Sequence, residues 1–138
     1  MIDCIVLGDS IAVGTHLQRY ECVSYAKGGI NSNGWNKKFA DKKIAASSVI
    51  ISLGTNDHKG VHTFKELTIM RERVNASHVY WIMPPCNPKF CKQNVNDIVE
   101  IIAKAHGDTI IGTKRVQEDG VHPSWVGYRE LAKQTRQE

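Results

Sequence analysis

Four short stretches of this chain hold the side chains best suited to chemistry. Gly8-Asp9-Ser10 supplies a hydroxyl, and Gly28-Gly29-Ile30-Asn31 supplies backbone amides with little side chain in the way. Gly54-Thr55-Asn56-Asp57 supplies a carboxamide, and Asp119-Gly120-Val121-His122-Pro123 supplies an imidazole three residues after a carboxylate. A serine hydroxyl is a weak nucleophile near neutral pH and needs a base to take its proton. An imidazole can be that base, a carboxylate can fix its tautomer, and amide N–H groups can receive the charge that develops on an attacked carbonyl oxygen. Together these are the parts of acyl transfer. Each part also has a plain structural use. Ser10 suits a helix N-cap, Asp9 suits a turn or a cap, and the glycines suit tight turns. Asn56 and Asp57 suit a strand-to-helix connection, and His122 before a proline suits the surface. The chemical reading depends on the fold bringing all four stretches together.

Hydrophobic periodicity supplies the elements that would do so. Ile2 to Leu7 is an apolar, β-branched run ending at Gly8, followed by a helical stretch from Ser10 to Arg19 and a short strand from Cys22 to Tyr25. After the glycine-rich loop, a helix through Trp35, Phe39 and Ile44 leads to a strand from Ser48 to Leu53. Phe64, Leu67, Met70 and Val74 mark a third helix, and His78 to Met83 a strand stopped by Pro84-Pro85. Val95, Ile98, Val99 and Ile102 line a fourth helix, Thr109 to Ile111 form a last strand, and a final helix starts near Pro123, a residue suited to a first turn. The strands are continuously apolar, as strands buried on both faces are. The expected fold is therefore α/β: a three-layer α/β/α sandwich around a five-stranded parallel sheet, with residues 1–138 forming one domain. In such a sheet ligands bind beyond the carboxyl ends of the strands. All four stretches follow a strand.

Composition narrows the class. The chain has 138 residues, 41% of them hydrophobic and 23% charged, which fits an ordinary globular protein rather than a disordered one. No apolar run approaches the ~18 residues of a membrane span, and Met1 to Leu7 lacks a basic n-region and a cleavage site, so neither a span nor a signal peptide is expected. A soluble protein is expected; compartment and oligomeric state stay open. The net charge of +4 falls short of a nucleic-acid footprint, and Lys37-Lys38 with Lys42-Lys43 reads as a solvated helix face. Cys4, Cys22, Cys86 and Cys91 do not form a disulfide framework by spacing. Cys4 reads as a small hydrophobe in a strand, whereas Cys86 and Cys91 are close enough for a loop bridge. All four lie outside the chemical stretches and are expected to be dispensable for chemistry.

Gly8-Asp9-Ser10-Ile11-Ala12-Val13-Gly14 resembles the first signature block of the SGNH/GDSL hydrolase superfamily. Gly54-Thr55-Asn56-Asp57 resembles its Gly-x-Asn-Asp block, and Asp119 to Pro123, continuing through Gly127-Tyr128, resembles its C-terminal Asp-x-x-His block. The blocks occur in family order over residues 8 to 128. The resemblance implies a flavodoxin-like SGNH hydrolase fold and a Ser-His-Asp triad of Ser10, His122 and Asp119. It also implies an oxyanion hole from the Ser10 amide, the Gly29 amide (Gly28 being the alternative) and the Asn56 carboxamide. No cofactor is expected.

No metal is expected either: His58 and His62 are four apart, but no glutamate completes a His-Glu-x-x-His motif and Gly60 lies between them. His58, Trp35 and Trp125 lie near the chemical stretches and are candidates for substrate binding, with the tryptophans able to stack on a sugar. Connections too short for a lid suit short acyl groups, so the expected activity is hydrolysis of acetyl or similar esters, carried by small molecules or acetylated glycans. The alternatives are an O-acyltransferase using the same serine and a catalytically silent carbohydrate-binding module.

Overall fold

The apolar run after Ile2 becomes β1 (Cys4–Gly8), whose five residues are all buried. The computed structural model describes residues 2–136. Around β1 stand β2 (Val23–Ala26), β3 (Ile44–Ser52), β4 (Val74–Ile82) and β7 (Thr109–Ile111), in the order β2-β1-β3-β4-β7, every pair parallel. Alternate residues of β1 feed two cores. Ile5 and Leu7 pack with Trp35, Leu67, Met70, Val95 and Val99, which come from α2 (Ser32–Lys38), α3 (Thr63–Glu72) and α4 (Gln93–His106). Cys4 and Val6 pack with Ile11, Ala12 and Leu131, from α1 (Ser10–Gln18) and α5 (Trp125–Gln134). This is the three-layer sandwich with a five-stranded parallel sheet expected from the sequence. Among the described residues no helix is long and apolar enough to cross a membrane.

The departures are local. Trp35 and Phe39 share a helix face, but Ile44, five residues on, falls off that face and instead opens β3. Val74 likewise opens β4, where it pairs with Ile44. The final helix starts at Trp125, capped by Ser124, whose hydroxyl accepts from the Gly127 amide. Two strands absent from the sequence reading, β5 (Cys86–Asn87) and β6 (Phe90–Cys91), form an antiparallel hairpin closed by a Cys86–Cys91 disulfide. Cys4 is not a lone hydrophobe: it is bonded to Cys22, which ties the start of β1 to the turn before β2.

Candidate active site

The strand order reverses between β1 and β3, because β2 lies on one side of β1 and the rest of the sheet on the other. Ligand sites of open α/β sheets form at such a point. β1 delivers Ser10 there. Gly8 has φ +136°, and a side chain on it would strike the Ser52 backbone of β3, so only glycine lets β1 lie this close before α1 begins. Asp9 is the N-cap: its Oδ1 accepts from the Ile11 amide at 3.0 Å and from the Ser52 hydroxyl at 3.0 Å. Its Oδ2 has no partner among the described residues, and burial raises its carboxyl to about 6. Ser10 is thus the first helical residue rather than the cap.

The Ser10 hydroxyl lies 2.9 Å from His122 Nε2, although 112 residues separate them. His122 Nδ1 lies 2.7 Å from Asp119 Oδ2. With its proton on Nδ1, His122 donates to Asp119 and leaves Nε2 free to accept from Ser10. Asp119 Oδ1 accepts from the amides of Val121 at 2.9 Å and His122 at 3.0 Å. The imidazole bond, with these two amides behind it, lowers the Asp119 carboxyl to about 2. The pair faces solvent, and Asp119 is an anion at any pH of ordinary enzyme chemistry.

The amide donors lie around Ser10. The Ser10 N–H, in the first helical turn, has no intrahelical acceptor. Among the described residues the Gly28 and Gly29 N–H groups donate to no acceptor. Gly29 has φ +78° with open space where a side chain would stand, whereas Gly28 approaches Ser10: a Cβ there would be 3.8 Å from that of Ser10. Asn56 Nδ2 donates to Ile30 O at 3.1 Å, leaving its second hydrogen available. The turn is held by Asp57, buried, which accepts from the Ser32 amide and hydroxyl and from the Thr63 hydroxyl. Lys92 donates to the carbonyls of Thr55 and Asp57 on either side of Asn56.

The substrate-binding candidates divide. Trp35 is fully buried and its indole N–H donates to Tyr25 O, so it is a core residue and is withdrawn from the list. Its neighbours Tyr25 and Phe39 complete an aromatic cluster that an exposed indole could not join. His58 is exposed, accepts from the Gly60 amide, and lines a depression with Lys59, Val61, Lys92 and Asn94, apart from Ser10 and His122. Trp125 is 65% exposed, three residues after His122, with the Arg129 guanidinium 4.8 Å from its ring. Tyr128, which the sequence also offered as a ring able to stack on a sugar, instead packs between helices. Its ring fills the space left by the missing side chain of Gly14, and burial, with the Asp9 and Asp119 charges, pushes its hydroxyl to about 12.

No family model and no curated protein matches the sequence. Solved structures do match it. An inferred acylhydrolase from Bacteroides fragilis superposes with a TM-score of 0.70 at 17% identity, over 95% of this chain and 83% of that one. The C-terminal catalytic domain of peptidoglycan O-acetyltransferase A from Streptococcus pneumoniae gives 0.63 at 16%, over 97% and 90%. An acetyl-xylooligosaccharide esterase from Geobacillus stearothermophilus gives 0.63 at 15%, over 96% and 91%. The chain shares the fold of these acylhydrolase, O-acetyltransferase and esterase structures.

Proposed function

We propose that this chain is a serine esterase that hydrolyses short acyl esters, acetyl esters above all, with a carbohydrate as the alcohol portion. The observation that carries the reading is the unbroken line from the Ser10 hydroxyl through His122 to Asp119. In this mechanism Ser10 Oγ attacks the ester carbonyl while His122 Nε2 takes its proton, and Asp119 stabilises the imidazolium. The carbonyl oxygen, now negative, is received by the Ser10 amide, the Gly29 amide and the Asn56 side chain. His122 returns the proton to the departing alcohol. Water, deprotonated by His122, then attacks the acyl-Ser10 ester and releases the acid.

A small apolar void lies among the sequence neighbours of the triad. Ile11 follows Ser10, Val121 and Pro123 flank His122, and with Ile82, Met83 and Pro85 they line a space of about 10 Å³. Ser10, His122 and Asp119 do not line that space, and the preference for acetyl rests instead on the likeness to an acetyl-xylooligosaccharide esterase. Trp125, exposed beside the same loop, supports a sugar as the alcohol. The likeness to an O-acetyltransferase domain favours a second reading, in which an acceptor hydroxyl replaces water in the second half-reaction.

A fluorophosphonate probe, 4-nitrophenyl esters of increasing chain length, and acetylated xylo-oligosaccharides test this. The expected result is an adduct on Ser10, turnover that falls from acetyl to butyryl, and loss of both adduct and turnover in Ser10→Ala. An intact chain that gives neither adduct nor turnover would instead support a silent binding module. An acylated product formed from an added acceptor, in excess of free acid, would move the assignment to the transferase.

A further inference from the structure

We infer that the disulfide-closed β5–β6 hairpin is a clamp that aligns the base with the oxyanion donor, and that Asn87 is its positioning residue. The inference rests on the triad reading above and extends it to residues that touch neither substrate nor Ser10. Asn87 Nδ2 donates to the Gly120 carbonyl at 2.7 Å, inside the turn between Asp119 and His122. The same side chain's Oδ1 accepts from the amides of Lys89 at 2.9 Å and Phe90 at 3.2 Å, so the hairpin itself fixes the direction of the donor. Lys89 Nζ adds a bond to the Glu118 carbonyl at 2.7 Å. Gly120 is buried under this contact. It has φ +72°, and a side chain there would meet Lys89 Cβ at 2.7 Å and Asn87 Oδ1 at 2.8 Å.

The other end of the hairpin leads to the second half of the site. Lys92 directly follows Cys91, and its ammonium bonds the Thr55 and Asp57 carbonyls at 3.0 and 2.7 Å. One short segment therefore grips the loop that carries Asp119 and His122 and the turn that carries Asn56. The side chains of the Asp119–His122 pair are themselves exposed. A hairpin of two-residue strands is too short to be rigid alone; the Cys86–Cys91 bond closes it.

Asn87→Asp is the sharpest variant, because a carboxylate keeps both acceptor contacts within the hairpin but replaces the donor to Gly120 with an oxygen that its carbonyl repels. Turnover of 4-nitrophenyl acetate should fall about tenfold or more in kcat, with KM within about twofold, since small displacements of a catalytic group cost rate before binding. The melting temperature should stay within a few degrees of the parent. Cys86→Ala/Cys91→Ala should act in the same direction while Cys4–Cys22 remains, against the dispensability for chemistry that the sequence suggests for all four cysteines. In an Asp119→Ala background, Asn87→Asp should change kcat by less than about twofold, because the two act as one unit. Parental kcat in Asn87→Asp, or losses that multiply fully in the double variant, would overturn the clamp. Undiminished turnover in Ser10→Ala and Asp119→Ala would instead overturn the triad reading on which it rests.

Discussion

At the scale of single residues, Asn56 separates a catalytic from a purely structural reading of the site. One of its amide hydrogens is spent on Ile30 O, and the other is left for a developing oxyanion. Replacement of Asn56 by Ala should lower kcat on an acetyl ester about a hundredfold, the usual cost of one such donor, with a much smaller change in KM. The shape of the pH profile should not move, because the base is untouched. A kcat within a factor of two or so of the parent would remove Asn56 from the oxyanion hole. The meeting of Ser10, His122 and Asp119 could be anticipated from the sequence because each sits in a short local pattern after a strand. Trp35 could not, since an indole near a chemical loop is written the same way whether it faces a sugar or the core. Asn87 and Lys92 gave no signal because their contacts are made across the fold.

Among elements, the contact between α1 and α5 sets the site, since Ser10 begins one helix and the His122 loop feeds the other. Gly14 makes that contact close. In a free helix Gly14→Ala would stabilise by about 1 kcal/mol, but here the new methyl would lie 2.2 Å from Tyr128 Cζ. An aromatic ring held between helices cannot swing aside as a flexible chain end can. The variant should therefore lose about 1–3 kcal/mol by overpacking and lose turnover with it, as the helices part. Trimming the ring in Gly14→Ala/Tyr128→Leu should restore part of the stability. A melting temperature for Gly14→Ala at or above the parent would show that the helices have room. Helices and the apolar carboxyl halves of strands were readable from periodicity. The first residues of β3 and β4 were not, because Ala45, Ala46, Asn75 and Ala76 are small or polar and take strand form through pairing with each other. The β5–β6 hairpin has no period to read in strands of two residues.

For the whole molecule, the alternation of helices with continuously apolar strands was enough to foresee a parallel sheet, whose one edge then gathers the polar turns. The burial of Asp9 beneath that edge was not foreseeable, since a capping aspartate is ordinarily exposed. It gives the folded state a pH dependence of unusual sign. Asp119, Glu21, Glu66 and Glu130 are all lowered, chiefly by hydrogen bonds, so the stability they add is lost as pH falls through the acid range. Asp9 is raised by burial from the ordinary 3.8 to about 6. Between those two values the folded chain holds a proton on Asp9 that the unfolded chain has released, so unfolding gains from every rise in pH. The contribution is fully present below about pH 4 and is gone above about pH 6, a difference of about 2–3 kcal/mol. Urea unfolding of the parent from pH 4 to pH 7 should show this loss superimposed on the other groups. Asn at position 9 keeps an acceptor for the Ile11 amide and the Ser52 hydroxyl and cannot ionise. Its slope of stability against pH should be more positive than that of the parent across the window, whatever its absolute stability. Tyr128, which the Asp9 charge helps to push to about 12, stays neutral throughout and does not disturb the comparison. Parallel pH curves for Asp9→Asn and the parent would mean that Asp9 is already ionised in the fold at pH 4.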